Sequence, residues 1–306
     1  KVKNFEWKTI FNWSKNNSMV ESLPEGIDKI QIGSGVYNVK SYAEVGKPYG
    51  AIYAKTFKRD AEGYILCQLD GSPKEGQDYE YLGCVQADWR GGWNNVFRLG
   101  NFSFSVMFDF QKGGKFFSQT SIQSSVDGQS VKSLEGRDAD FFSRKILGES
   151  DEERYGFMRP QNANTPTANG QIYPDWGRPK GVVLPNCRYD EDVEGLAGQQ
   201  VLGYCTPERY WMHYTSRDIS RFIYDASYVK LREITVSYDL PKKWLRKTPF
   251  QTFRVAAVGR NIATLFANTP HGLDPQATST TGNAQGFERG FNLPSATYGF
   301  DIKVSF

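Results

Sequence analysis

The last nine residues of the chain alternate without a fault. In Tyr298-Gly299-Phe300-Asp301-Ile302-Lys303-Val304-Ser305-Phe306 every even position is apolar or aromatic, and the odd positions hold Gly, Asp, Lys and Ser. Successive side chains of a strand point to opposite faces, so the run predicts a strand with one apolar and one wet face. An edge strand of a soluble sandwich would account for the alternation. A chain that ends on Phe306 fits a second account better: a last barrel strand, with Tyr298, Phe300, Ile302, Val304 and Phe306 as the signal read by a barrel-assembly machinery.

Other stretches repeat the pattern. Phe5, Trp7, Phe11 and Trp13 alternate with Glu6, Lys8, Asn12 and Ser14, with Thr9 and Ile10 as the one inversion. Phe102, Phe104, Val106, Phe108 and Phe110 alternate with Ser103, Ser105, Met107, Asp109 and Gln111. Apolar stripes about ten residues long, with charges opposite, match the lipid and lumen faces of an outer-membrane strand. Within 228–240 the parity slips: Val229 and Leu231 lie on one face, then Ile234, Val236 and Tyr238 on the other. That slip predicts a bulge near Arg232 and Glu233. Residues 253–261 are mixed, with Arg254 and Arg260 on one parity and Phe253 and Val255 on the other. Composition agrees with an all-β chain: 30 Gly, 21 Phe, 17 Tyr and 7 Trp at a mean hydropathy of −0.56. The absence of any long apolar run rules out a helical span but not a barrel, whose strands are polar at every second residue. A net charge of +3 is too balanced for a nucleic-acid partner.

The connections are of two kinds. Arg98-Leu99-Gly100-Asn101 and Asp239-Leu240-Pro241-Lys242-Lys243-Trp244-Leu245 are short, whereas 121–209 and 268–294 are long and rich in Gly, Pro and Asn. Long loops without regular structure are uncommon in compact soluble domains and normal on the outer side of a barrel. With Phe306 at the periplasm, 268–294 falls outside, the Pro241 turn inside and the loop before Ser227 outside. Catalytic chemistry is poorly provided for. His213 and His271 are the only histidines, and Ser216 and Asp218 near His213 are neighbours in sequence, which is not the geometry a triad needs. Asp151-Glu152-Glu153 reads as a solvated run, and Gly33-Ser34-Gly35 and Gly113-Gly114 read as turns. No enzyme, metal or cofactor is expected.

The run Asp225-Ala226-Ser227-Tyr228-Val229-Lys230-Leu231-Arg232-Glu233-Ile234, with Ser237-Tyr238-Asp239-Leu240-Pro241, resembles the third-last strand of the SusC/RagA-type TonB-dependent transporters. Val258-Gly259-Arg260-Asn261-Ile262-Ala263-Thr264-Leu265-Phe266 resembles their penultimate strand. Gly282-Asn283-Ala284-Gln285-Gly286-Phe287-Glu288, Asn292-Leu293-Pro294-Ser295 and the strand to Phe306 resemble their C-terminus. Looser matches are Phe5-Glu6-Trp7-Lys8 with Asn12-Trp13-Ser14-Lys15, Gly46-Lys47-Pro48-Tyr49-Gly50, and Asn101-Phe102-Ser103-Phe104-Ser105 with Lys112-Gly113-Gly114. One departure is Gln86-Ala87-Asp88-Trp89, where the family usually places Pro before Asp-Trp.

The resemblance implies that residues 1–306 are the C-terminal strands of a 22-stranded antiparallel transmembrane β-barrel with long extracellular loops, the plug and earlier strands lying outside this sequence. About eight to ten strands are expected from the alternation, too few for that closure. It further implies active import of an oligosaccharide, or less readily a peptide, across the outer membrane. The implied partners are a SusD-like surface lipoprotein, the TonB complex acting through the plug, and outer-membrane lipid. Sugar rings favour aromatic faces with polar groups beside them. The candidates in the long loops are Tyr173, Trp176, Tyr210, Trp211 and Tyr214, with Asp175, Arg178 and Arg209 as companions. Trp7, Trp13 and Phe102 are expected on lipid or girdle faces. Four cysteines in an exported chain allow three pairings; the sequence-local one joins Cys187 to Cys205 and Cys67 to Cys84, and four free thiols are the alternative. Two other functions stay open on these residues: an autonomous porin-like or adhesin barrel, and a soluble carbohydrate-binding sandwich.

Overall fold

A computed structural model describes residues 4–134, 182–205, 207–270, 272–276, 282–290 and 295–306. β1 (Phe5–Ser14) is followed by an outer group of β2 (Lys29–Ser34), β3 (Lys40–Glu44), β4 (Ala51–Ala54), β5 (Ile65–Cys67) and β6 (Glu80–Cys84). β7 (Trp89–Leu99) and β8 (Phe102–Lys112) form a hairpin. A second outer group holds β9 (Lys115–Ser118), helix α1 (Gln119–Val126), β10 (Val182–Tyr189), β11 (Gln200–Cys205) and β12 (Ile223–Asp225). β13 (Tyr228–Asp239) and β14 (Thr252–Ala267) make a second hairpin, and short β15 (Phe287–Glu288) precedes β16 (Thr297–Ser305).

The long strands form one antiparallel sheet in the order β1-β7-β8-β13-β14-β16. Its register sorts the alternating residues into two faces. One row runs Phe5, Leu99, Phe102, Tyr238, Val255, Ile302, and the next Trp7, Phe97, Phe104, Val236, Ala257, Phe300. Rings stack along these rows, with Trp7–Phe97 centroids 6.0 Å and Trp93–Phe108 centroids 5.8 Å apart. The two indole N–H groups among these rows are satisfied across the strands, Trp7 Nε1 donating to Asn95 Oδ1 at 3.1 Å and Trp93 Nε1 to Thr9 Oγ1 at 2.9 Å. None of the described residues covers this face: Phe300 is 90% and Trp7 57% exposed. A contiguous apolar surface of that extent marks a face that meets something other than water. The opposite face carries Glu6, Arg98, Ser103 and Asp301 in one row and Asn12, Gly92, Asp109 and Lys230 in another.

The parity slip in β13 is a bulge, as its sequence predicts. Leu231 pairs with Phe108 and Glu233 with Met107, so Arg232 is the extra residue. Against β14, Glu233 meets Arg260 and Leu231 meets Ala263, and Asn261 there adopts a left-handed φ of +50°. The bulge returns Ile234, Val236 and Tyr238 to the same face as Val229 and Leu231, so the apolar band is unbroken.

Two expectations change. The large sheet has six strands among the described residues, where eight to ten were expected. The surplus alternating segments belong to three small sheets, β2-β3-β4-β6, β11-β10-β5 and β12-β9-β15. For the same reason the described parts of the long connections are not structureless. The large sheet is open, and β1 and β16 are its edges among the described residues.

All three long connections leave the same end of the sheet, beyond Ser14, Lys112 and Ala267, and pack together there. One core holds Val39 and Ile52 from the first, Phe117, Ile122, Ile219 and Phe222 from the second, and Phe287 from the third. A second core joins Phe57, Ile65 and Cys67 to Val182, Leu184, Tyr189, Tyr210, Trp211 and Tyr214. Two neighbouring glycines test the packing of the sheet. A Cβ at Gly91 would overlap the Phe110 ring and lie 3.0 Å from Asn12 O, whereas one at Gly92 meets nothing closer than 3.7 Å. Gly91→Ala should therefore destabilise the sheet by about 1–3 kcal/mol and Gly92→Ala by much less. The check is the temperature at which each variant of the full-length protein loses its folded mobility in denaturing gels.

Candidate functional site

The polar face of the sheet is a wall of paired charges. At the end away from the long connections, Asp239 receives Arg254 Nε at 2.6 Å and Arg98 Nη2 at 3.1 Å. A cavity of about 330 Å³ lies beside this group, lined by Glu6, Lys8, Ser103, Thr235 and Arg254. Midway, Arg260 Nε meets Glu233 Oε2 at 3.0 Å. Near the other end Arg232, placed by the bulge, reaches back to Asp109 at 2.6 Å and to Asn261 Oδ1 at 2.9 Å. No three His, Cys, Asp or Glu side chains are grouped to hold a metal ion among the described residues.

The third connection folds down onto this wall. Lys230 is buried on β13 and donates to both carboxylate oxygens of Asp274, at 2.5 and 2.6 Å, and to Gln276 Oε1 at 2.9 Å. Gln276 also donates to the Tyr228 hydroxyl. Residues 274–276 are thus strapped to the polar face by a buried ammonium. Above them, where the first and second connections leave the sheet, a cavity of about 730 Å³ is lined by Asn16, Ser18, Gln86, Asp88, Lys115 and Asp225 among others. Its polar groups are amides, hydroxyls and charges of both signs, a set suited to a hydrated ligand with many hydrogen-bonding groups.

The aromatic candidates fare unequally. Tyr173 and Trp176, with Asp175 and Arg178, lie outside the described residues. Tyr210, Trp211 and Tyr214 are 0, 1 and 3% exposed, within the second loop core. Their periodicity is that of a helical turn, Tyr210–Tyr214, pressed against β5 and β10, so the rings they would offer to a sugar are spent on packing. Arg209 bonds Asp70 at 2.9 Å and the Tyr214 hydroxyl at 3.0 Å, tying that turn down. The triad on paper does not assemble: Ser216 Oγ donates to the His213 carbonyl, and Asp218 accepts from Ser220 Oγ at 2.5 Å. His271 lies outside the described residues.

Neither sequence-local disulfide forms. Cys84 and Cys187 are free thiols, Cys84 on β6 in a different sheet from Cys67 on β5. The β10–β11 register sets Cys187 opposite Val201 and Cys205 opposite Val182, too far along the strands for a bridge. Burial pushes the Cys84 thiol above its ordinary pKa. Tyr298, Phe300, Ile302 and Val304 all fall on the apolar face of edge strand β16, and Phe306 packs on Phe250 with centroids 5.2 Å apart. The residues that sequence reasoning missed are Lys230, Asp274 and Gln276. Their only signal was a Lys opposite Asp109 on a parity reserved for the wet face.

The second loop core is clamped by charge as well. Asp190, almost fully buried, accepts from Lys58 at 2.8 and 2.9 Å and from Lys74 at 2.8 Å, and Lys74 also binds Asp192. Burial works against the charged carboxylate, but the two ammonium groups win and hold it down at about 2.

With this geometry in hand, comparison with known proteins is informative. No family model matches the chain. It is similar to TonB-dependent receptor P3 of Formosa agariphila, 23% identical over 96% of this chain and 25% of that protein. Among solved structures it matches the RagAB peptide importer in its open-open and closed-closed states, each with a TM-score of 0.53 and 15% identity, over all of this chain and 27 and 28% of the other. The chain therefore spans about a quarter of the length of the proteins it matches. The resemblance seen in its sequence is the one these comparisons find, and its fold is that of a stretch of such a transporter.

Two expectations can be measured. Replacing Lys230 alone by Met, or Asp274 alone by Leu, should cost more stability than replacing both, because each single change leaves a buried charge unpaired. A double-mutant cycle read by thermal unfolding checks this, with a coupling of roughly 1–3 kcal/mol expected. For Asp190 the folded pKa lies below the unfolded value of about 3.9, so its stabilisation is complete above about pH 4 and is lost as pH falls towards 2. Limited proteolysis of the loop region between pH 5 and pH 2 should show that loss, and Asp190→Asn should be cleaved readily already at pH 5.

Proposed function

We propose that residues 1–306 are the closing stretch of wall, with its outer loops, of a larger TonB-dependent outer-membrane barrel that imports a nutrient. The observation that carries this reading is the open sheet, greasy on one face, ion-paired on the other, with every long connection at one end. A bilayer on one side and a watery lumen on the other explain both faces at once. An open sheet cannot stand in lipid, so strands from elsewhere must complete it, and a total of 22 fits the resemblance. The two similar proteins bear the names of a receptor and an importer, not of enzymes. No helix among the described residues is long and apolar enough to cross a membrane, so any crossing is made by strands.

In this reading the Phe306 end faces the periplasm, and the packed loop body faces outward beneath a SusD-like lipoprotein. The TonB complex acts on a plug contributed by residues beyond this sequence, and the barrel-assembly machinery reads β16. The cargo is an oligosaccharide or a peptide. RagAB is a peptide importer, and likeness at 15% identity bears on fold and not on cargo. Tyr173 and Trp176 remain the aromatic candidates for contact with it, while Tyr210, Trp211 and Tyr214 pack the loop core. Fractionation of cells making the full-length protein should place it in detergent-extracted outer membrane together with a surface lipoprotein. Recovery in the soluble fraction would overturn the reading.

A further inference from the structure

The small sheet β2-β3-β4-β6 of the first connection has one covered face and one open face. Ser41, Ala43, Ile52 and Ala54 lie on the covered face, where Ile52 and Ala54 join the first loop core. Lys40 and Tyr42 fall on the other parity of β3. The register there sets Lys40 opposite Tyr53 on β4, and Tyr53 opposite Tyr81 on β6. The tyrosines cluster, with Tyr42–Tyr53 centroids 5.1 Å and Tyr53–Tyr81 centroids 5.7 Å apart. Ammonium groups stand over the rings of this face. Lys29 Nζ is 5.0 Å from the Tyr53 centroid and 5.5 Å from that of Tyr42. Lys47 Nζ is 4.4 Å from the Tyr81 centroid, and Lys40 Nζ is 4.2 Å from that of Tyr79.

The rings orient these cations without neutralising them. Glu44, the carboxylate within the cluster, is taken by Lys47 at 3.0 Å and by the Tyr53 hydroxyl. Lys29 and Lys40 take part in no ion pair among the described residues. Lys29 pairs with Glu44 in the register, and Lys40 lies four residues along β3 from Glu44. Their backbones therefore stand about 13 Å apart along the strands. A small anion cannot bridge that distance, whereas a chain charged at intervals can. The open face offers side chains only, because the backbones of β3 and β4 are paired with strands on both sides. An extended peptide that draws its affinity from main-chain bonds at a sheet edge is poorly served there. A pyranose is well served, since its C–H face packs on tyrosine while its hydroxyls and carboxylate meet phenol and ammonium.

We propose that this face binds a carboxylate-bearing oligosaccharide, with Lys29 and Lys40 as its uncompensated cations and Tyr42 and Tyr81 as its ring contacts. Tyr81 is 42% exposed and also lines the cavity of about 730 Å³, so the face borders the place where the first and second connections leave the large sheet. Binding is a property of the loop body; its use in capturing cargo rests on the import reading. Attraction between exposed charges is screened, so binding weakens as salt rises.

The test is calorimetric titration of the full-length protein in detergent with an oligogalacturonate, with its neutral methyl ester, and with an oligoglutamate of equal length. Wild type should prefer the oligogalacturonate over the ester by roughly five- to tenfold at low salt, the effect of two exposed ion pairs. K29Q/K40Q should lose that preference and K29R/K40R should keep it, showing that charge and not a damaged sheet decides. An ester bound equally well by wild type, no binding of the oligogalacturonate, or a preference unchanged in K29Q/K40Q would overturn the site. Tighter binding of oligoglutamate would overturn it too, and would assign the face to acidic peptides. Preference for the oligogalacturonate without its uptake by cells making the full-length protein would uphold the site and sink only its role in import.

Discussion

Everything in this chain depends on where the backbone hydrogen bonds of a six-stranded sheet can go. Inside the sheet each ladder satisfies its neighbour, from the β1–β7 pairing that begins at Phe5 and Leu99 to the β14–β16 pairing that ends at Thr252 and Ser305. At β1 and β16 the outward N–H and C=O groups have no partner among the described residues. Beside water that is an aggregation hazard; beside hydrocarbon it costs several kcal/mol for each group and is not sustainable. On the reading proposed above the apolar face meets hydrocarbon, and the second case applies. It also removes the usual source of stability, since rings exposed to lipid gain little from touching one another rather than acyl chains. What holds the sheet in register must then be its ladders, the cross-strand indole bonds to Asn95 and Thr9, and the charges on the other face.

Those charges do two jobs on the polar face. Pairs such as Glu233 with Arg260 are largely solvated and contribute little to stability. Lys230 is another matter, because a buried ammonium must be answered, and Asp274 and Gln276 answer it from a different connection. The bulge that frees Arg232 to reach Asp109 lies beside it. The bulge aims Arg232, and Arg232 and Lys230 together hold Gln276 of the third connection over the polar face.

How much of this could be read from the residues alone follows the reach of the interactions. Alternation in Phe5–Ser14, Phe102–Lys112 and Thr297–Ser305 made three strands of the large sheet legible, and the parity slip located the bulge beside Arg232. Period 2 says nothing about who sits beside whom, so the small sheets of the connections were counted with the large one. Tyr210, Trp211 and Tyr214 show the limit most plainly. A cluster of rings in a Gly- and Pro-rich stretch has the same composition whether it binds a sugar or fills a core, and only the arrival of Phe57 and Ile65 from the other connection decides for the core. The cysteines failed for a related reason: nearness in sequence is cheap in loop entropy, but the β10–β11 register keeps Cys187 and Cys205 apart, and Cys67 and Cys84 lie in different sheets.

The chain thus joins two bodies stabilised by different physics. The loop body is built as a soluble domain is, by burying Val39, Ile52, Phe117, Phe222 and Phe287 from three connections in one core. Phe287 does not act alone. Its neighbour Glu288 accepts from Ser118 Oγ and Thr120 Oγ1 at 2.6 Å and from the Thr120 amide at 3.2 Å, so the third connection caps helix α1 of the second. The sheet, by contrast, is held mainly by its ladders. The two meet at a narrow seam: Gly113 N donates to Ser227 Oγ at 2.8 Å, Ala226 N to Gly114 O at 2.9 Å and Asn268 N to Ser227 O at 3.1 Å. Gly113 and Gly114 both hold left-handed φ values, and a Cβ on Gly113 would strike Asp88. Beside these bonds and the two glycines, Lys230 binds Asp274 and Gln276 across the same junction. Displacement of the outer body must therefore pass into the strands at β8 and β13, which are the strands that carry Asp109, Lys230 and Arg232. The outer body and the sheet are thereby coupled through residues of the polar face.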